Sequence, residues 1–123
     1  MNADPPENDR PPVNLARLGD TFGDDPEFLT EMYGLYIEDA SGRLAELDSA
    51  LAGDDAEKVK SIAHTLKGSS GNVGAERMSA LAAELERIDS TQDRPKVQEL
   101  AAALHTEFDA VQAFLKEFVP TPL

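Results

Sequence analysis

The sequence predicts an all-α chain, an antiparallel up-down four-helix bundle with a short extra N-terminal helix. Three observations carry this. The 123 residues include 14 Leu and 17 Ala against 9 Ile plus Val, and β-branched side chains are the ones that lose χ1 freedom in a helix. Pro5, Pro6, Pro11, Pro12, Pro120 and Pro122 lie near the two ends, whereas Pro26 and Pro95 fall where a helix begins and a missing N–H costs nothing. Between them, apolar residues recur at three- and four-residue steps in four segments joined by short polar connections.

The elements follow in chain order. Val13, Leu15, Leu18 and Phe22 suit a turn or two of helix laid across the bundle. Asp24-Asp-Pro-Glu27 supplies an N-cap, an N1 proline and a first-turn acid. The stripe after it, Leu29, Met32/Tyr33, Tyr36, Ala40, Leu44, Leu47 and Leu51, predicts a long helix weakened locally by Gly34 and Gly42 and ended by Gly53 as a C′ glycine. Tyr33, Tyr36, Phe28 and Met32 are expected mainly in the core. Asp54-Asp-Ala-Glu57 has the capping-box pattern and opens a helix with Val59, Ile62, Leu66 and Val73 on one side, ended or bent at Gly74. Met78, Leu81, Leu85 and Ile88 mark the next helix, and Val97, Leu100, Leu104, Phe108, Val111, Leu115 and Phe118 the last. Residues 13–119 then form one domain between a flexible N-terminal tail, 1–12, and a C-terminal tail, 120–123.

Composition narrows the function. With 24 Asp plus Glu against 11 Lys plus Arg, the formal net charge is −13, which argues against nucleic acid or an anionic membrane surface as partner. The absence of cysteine removes disulfides, zinc-thiolate sites and thiol nucleophiles. The first ten residues lack the basic and apolar regions of a signal peptide, and no apolar run approaches the roughly 18–20 residues of a membrane span. A cytoplasmic protein is expected.

One stretch stands apart. Lys58 to Gly74 holds one of the two histidines, three of the five lysines and three of the eight glycines. On a helix, His64 lies two residues from both Ile62 and Leu66, hence about 160° from each and towards solvent. Lys60, Ser61, Lys67, Gly68, Gly71 and Asn72 share its face. Glycine inside a helix costs about 1 kcal/mol relative to alanine, so Gly68 implies a steric need to keep the imidazole's flank open. An accessible imidazole bordered by ammonium groups suits transfer of a phosphoryl group to nitrogen.

These residues carry a resemblance. His64-Thr-Leu-Lys67-Gly68-Ser-Ser-Gly71-Asn72-Val-Gly74-Ala75 resembles the H-x-L-K-G-[SA]-[SA]-x-x-[LVF]-G-[AL] signature of histidine-containing phosphotransfer (HPt) domains, and Leu15, Leu18, Asp25, Phe28, Leu29 and Tyr36 resemble the family's start. The resemblance implies a four-helix bundle in which His64 accepts a phosphoryl group through Nε2 from the phospho-aspartate of a response-regulator receiver domain, or the receiver of a hybrid sensor kinase, and passes it to another receiver. Lys67 would neutralise phosphate charge and Gly68 permit close approach. Lys60, Ser61, Gly71 and Asn72 are candidate docking residues. A polar side chain on the next helix would orient the imidazole; Glu86 is the candidate by spacing, with Glu84 and Arg87 as alternatives. The family binds no nucleotide, and magnesium would come with the receiver, so the chain is expected to be a monomeric, stoichiometric carrier with no cofactor, metal or kinase activity of its own.

Blander readings stand beside these. His64 reads otherwise as an ordinary solvated histidine, Lys58 and Lys60 as solvated lysines, and Ser69, Ser70 and Asn72 as small residues filling a helix crossing. His105, with no base at helical spacing, is expected to be structural or solvated. The alternative function is an adaptor bundle that binds receiver domains without accepting phosphate. A di-iron bundle enzyme would need Glu-x-x-His pairs, and Ser61 and Ala102 occupy the positions three before the histidines.

Overall fold

The computed structural model describes residues 11–23 and 25–118, and within them the chain is helical with no strand. The expected tails therefore lie almost wholly outside the described residues. Five helices follow one another: α1 (Leu15–Phe22), α2 (Pro26–Ala52), α3 (Ala56–Asn72), α4 (Glu76–Arg87) and α5 (Arg94–Phe118). Helix α3 packs against α2 and α4, α5 packs against α4 and α2, and α1 rests on α3. With three to six residues in each connection, the successive helices α2 to α5 run antiparallel, the expected bundle with its extra N-terminal helix.

Each start has a local cause. The side chains of Asn14, Asp25 and Asp55 accept from the amides of Arg17, Glu27 and Lys58, satisfying donors that a helix leaves open. Asp93 does the same for the amide of Lys96 at the start of α5. The end of α2 departs from expectation: Gly53 has φ −92°, and the left-handed residue is Asp54, φ 54°. A short polar side chain tolerates that region better than most, and Asp54, in the α2–α3 connection, pairs with Arg94 at the start of α5.

At Gly74 the backbone is left-handed, φ 81°, and a Cβ would stand 2.5 Å from the Asn14 carbonyl oxygen. Only glycine fits both demands. The Asn14 amide donates to the Gly74 carbonyl at 2.7 Å and its side chain to Glu76 at 2.7 Å, tying the entry of α1 to the α3–α4 turn.

The core collects the inner stripes, with Leu44, Leu47, Leu66, Met78, Leu85, Leu104 and Val111 almost wholly enclosed. Removing such a side chain costs about 2–5 kcal/mol. Tyr33 and Tyr36 are buried, as expected, whereas Phe28 is 39% exposed and Met32 half-buried; Phe28 leans on Phe22 with ring centroids 6.1 Å apart. Ala50 takes the buried place expected for Leu51. The Phe118 side chain lies outside the described residues. Ser70, fully buried, shares a 2.8 Å hydrogen bond with the Tyr36 hydroxyl. Burial pushes the Tyr36 phenol up to about 12 despite that bond. No helix among the described residues is long and apolar enough to cross a membrane.

Candidate functional site

The site grows out of the contact between α3 and α4. On α3, Val59, Ile62, Ala63, Leu66 and Ser70 form the buried side. His64 faces the other way with its side chain 68% exposed, as its two-residue offset from Ile62 and Leu66 requires. On α4, Met78, Ala82 and Leu85 are buried. Glu86, one step past Leu85, therefore sits at the margin of that buried face, beside α3.

There it joins two side chains. One carboxylate oxygen lies 2.7 Å from His64 Nδ1, and the other accepts from the Lys67 ammonium at 2.7 Å. His64 and Lys67, three residues apart on one helix, thus converge on one acid of the next. The Glu86 side chain is only 19% exposed. The Lys67 hydrogen bond, and after it the His64 bond, hold its carboxyl below the ordinary glutamate range. A carboxylate lowered in this way keeps its bridge above the ordinary range and loses it as pH falls through the lowered value, so the arrangement is intact at neutral pH.

A second tie fixes the register. The Ser79 hydroxyl donates to the Lys67 carbonyl at 2.8 Å, so Lys67 is held to α4 by both its backbone and its ammonium. Ser79 stands seven residues, two helical turns, before Glu86 on the same face. The sequence reading missed it; that spacing from Glu86 was the available signal.

Gly68, one turn beyond His64, is exposed, and a Cβ there would meet nothing within 4 Å. The fold itself would accept a side chain, so the bare surface is open towards whatever approaches. Lys60, Ser61 and Asn72 are exposed. Gly71 differs from them: it is half-buried against α4, where a Cβ would stand 3.5 Å from the Ser79 hydroxyl, which makes it a packing residue as much as a surface one. Of the three side chains considered for contact with the imidazole, Glu86 reaches it, while neither Glu84 nor Arg87 has a described bond to it. Among Ser69, Ser70 and Asn72, Ser70 fills the helix crossing through its bond to Tyr36.

His105 lies elsewhere, on α5, with Nε2 3.0 Å from an Asp48 oxygen of α2. Sequence reading had seen no base near it, because that acid lies 57 positions away. Among the described residues no cluster of three or more His, Asp or Glu is arranged to hold a metal ion.

Comparison with known proteins bears on this geometry. Multistep phosphorelay regulator 1 of Schizosaccharomyces pombe is 32% identical over 77 residues, which is 63% of this chain and 26% of that protein. The chain thus spans about a quarter of the length of that relative. A family model described as the Hpt domain matches residues 31–114. That match takes in most of α2 and α5 together with all of α3 and α4, and therefore the whole His64–Glu86–Lys67 arrangement: the chain belongs to the Hpt-domain family.

Proposed function

We propose that this protein is a phosphocarrier in a phosphorelay, taking a phosphoryl group from the phospho-aspartate of one receiver domain onto His64 and giving it to the aspartate of another. The observation that carries the reading is the asymmetry of the exposed imidazole. Nδ1 is engaged by the Glu86 carboxylate at 2.7 Å, and no described residue bonds Nε2. An ionised carboxylate accepts, so Nδ1 donates its proton and the lone pair resides on Nε2. The nucleophile is then the nitrogen with nothing in its way.

The neighbours fit the same reaction. A phosphoryl group in transfer spreads negative charge over its equatorial oxygens, and positioned cations stabilise it. Lys67 supplies one, three residues from His64. The open surface at Gly68 lets the rim of a receiver's acidic pocket come close, and Lys60, Ser61 and Asn72 border the same approach. Magnesium enters with the receiver, and the chain acts stoichiometrically, as a monomer, without a nucleotide site or kinase step of its own. Partners are response-regulator receivers or the receiver of a hybrid sensor kinase. The relative's name, which places that protein in a multistep phosphorelay, supports this reading.

The test is to incubate the full chain with receiver domains carrying radiolabelled phospho-aspartate, with His64→Gln in parallel. Acid-labile, base-stable label should appear on the wild type within seconds to minutes and not on the variant. Stable binding of a receiver without any label would replace the carrier by an adaptor.

A further inference from the structure

The residue that holds the imidazole is an acid, and its charge has a consequence for the phosphorylated ring. We propose that Glu86 retains the Nδ1 proton of His64 through both halves of the transfer, so that the phosphorylated ring stays a phosphoimidazolium and its phosphoryl group stays labile into mildly alkaline pH. This rests on the phosphocarrier reading and adds what governs the lifetime of the phosphohistidine.

In the first half, the Nε2 lone pair forms the N–P bond as the donor's acyl P–O bond breaks and its electron pair leaves on the aspartate carboxylate. A ring that was neutral, with its proton on Nδ1, emerges carrying +1, with the phosphoryl group at −2. In the second half, an aspartate oxygen of the next receiver forms the new P–O bond, the N–P bond breaks and its pair returns to Nε2. The ring is neutral again with the same Nδ1 proton. No proton needs to enter or leave the site. Were that proton lost in between, the leaving group would be an imidazolate, far poorer than a neutral imidazole, and the phosphoryl group would be trapped.

Three features favour retention. The Glu86 oxygen stands 2.7 Å from Nδ1, on a carboxylate mostly shielded from solvent, where the attraction between opposite charges is less screened than in water. That carboxylate is kept ionised, first by Lys67 and then by His64 itself. Lys67 also has two anions to choose between: a phosphoryl group arriving on Nε2 offers its ammonium a stronger acceptor than Glu86, and as the ammonium turns to it, the Nδ1 proton becomes the remaining strong partner of the carboxylate. The hold tightens when the ring acquires charge.

The other charged groups nearby leave this role to Glu86. Lys60, one turn before His64 on α3, and Arg87 on α4 are exposed and have no described bond to the ring. On α2, Arg43 lies 3.6 Å from Asp39. From α1, Arg17 is exposed and likewise unbonded to the imidazole among the described residues. Glu84, two residues before Glu86, points away from it around α4.

Glu86→Gln is the informative variant, because its amide oxygen still accepts from Nδ1 while the charge is gone. Wild type and variant, both full-length, are loaded by a receiver charged with radiolabelled acetyl phosphate and freed of the receiver. Loss of label by hydrolysis, and by transfer to fresh receiver, is then followed from pH 5 to 10. Both proteins should take label. In Glu86→Gln the fall of the rate with rising pH should come about one pH unit earlier, making phosphoryl loss on the order of tenfold slower at mildly alkaline pH and equal in acid. Nitrogen NMR of the phosphorylated ring should find Nδ1 protonated to higher pH in the wild type. Superposable pH profiles would overturn the proposal. So would a natively folded Glu86→Gln that takes no label, since Glu86 would then be required for acceptance rather than for holding the proton. No label on the wild type is a different result, and it removes the phosphocarrier reading itself.

Discussion

The molecule makes the same contact twice. His64 and His105 each place a ring nitrogen within hydrogen-bond distance of a carboxylate on another helix, at 2.7 Å and 3.0 Å. Everything around the two contacts differs. Asp48, the partner of His105, is 56% exposed, a surface pair of the kind that contributes about 0–1 kcal/mol. The partner of His64 is largely shielded, and its second oxygen holds a lysine. At His64 the carboxylate takes Nδ1, and no described residue bonds Nε2. At His105 it is Nε2 that is occupied. A histidine–carboxylate pair is therefore not in itself a site. Which nitrogen is engaged, what shields the acid, and whether a cation and open surface lie alongside decide what the pair can do.

The contrast can be broken or sharpened by mutation. The largest effect is expected from His64→Gln, which should abolish labelling by a phospho-receiver while shifting stability by no more than about 0.5 kcal/mol, because the ring is exposed; labelling and a urea melt check the two halves. Next comes Gly68→Gln. It should lower receiver affinity and transfer by at least about tenfold, yet leave the helix as stable or up to about 1 kcal/mol more so. Normal transfer by that variant would mean that the open surface is not used. Lys67→Ala should slow transfer roughly tenfold, less than the roughly hundredfold of a fully desolvated donor, because the lysine is 39% exposed. An unchanged rate would show that its charge takes no part. At the far end of the scale, His105→Gln should take label at the wild-type rate and melt within about 0.5 kcal/mol of it. A defect in transfer there would dissolve the distinction between the two histidines.

Much of this was legible in the sequence where the determinants are local. The inner stripe of α2 from Leu29 to Leu47 and the capping aspartates follow from periodicity and short-range hydrogen bonding, and the exposure of His64 follows from its offset to Ile62 and Leu66. The turn at Gly74 was anticipated too, though not the reason glycine is required there, since the Asn14 carbonyl comes from 60 residues earlier. Where distant segments decide, the reading ran short. α2 ends at Gly53 as the sequence indicates, but the left-handed residue beyond it is Asp54 rather than a C′ glycine, and its side chain is paired with Arg94. Phe28, expected mainly in the core, lies instead on the rim, its ring leaning on Phe22 of α1. Spacing left Glu84, Glu86 and Arg87 open as partners of the imidazole. The choice depends on the α3–α4 register, which the Gly74 turn and the Ser79–Lys67 bond set together. The burial of Ser70 depends on Tyr36, 34 positions away.

The central claim is that Glu86 takes Nδ1 and so leaves Nε2 of His64 to accept phosphate. Phosphorus–proton correlation NMR on the phosphorylated protein at alkaline pH tests it directly, because phosphorus on Nε2 couples to both carbon-bound ring protons and phosphorus on Nδ1 couples to one. The account predicts a single phosphohistidine, at His64, coupled to both protons. A signal coupled to one proton, or one that survives in His64→Gln, would contradict it.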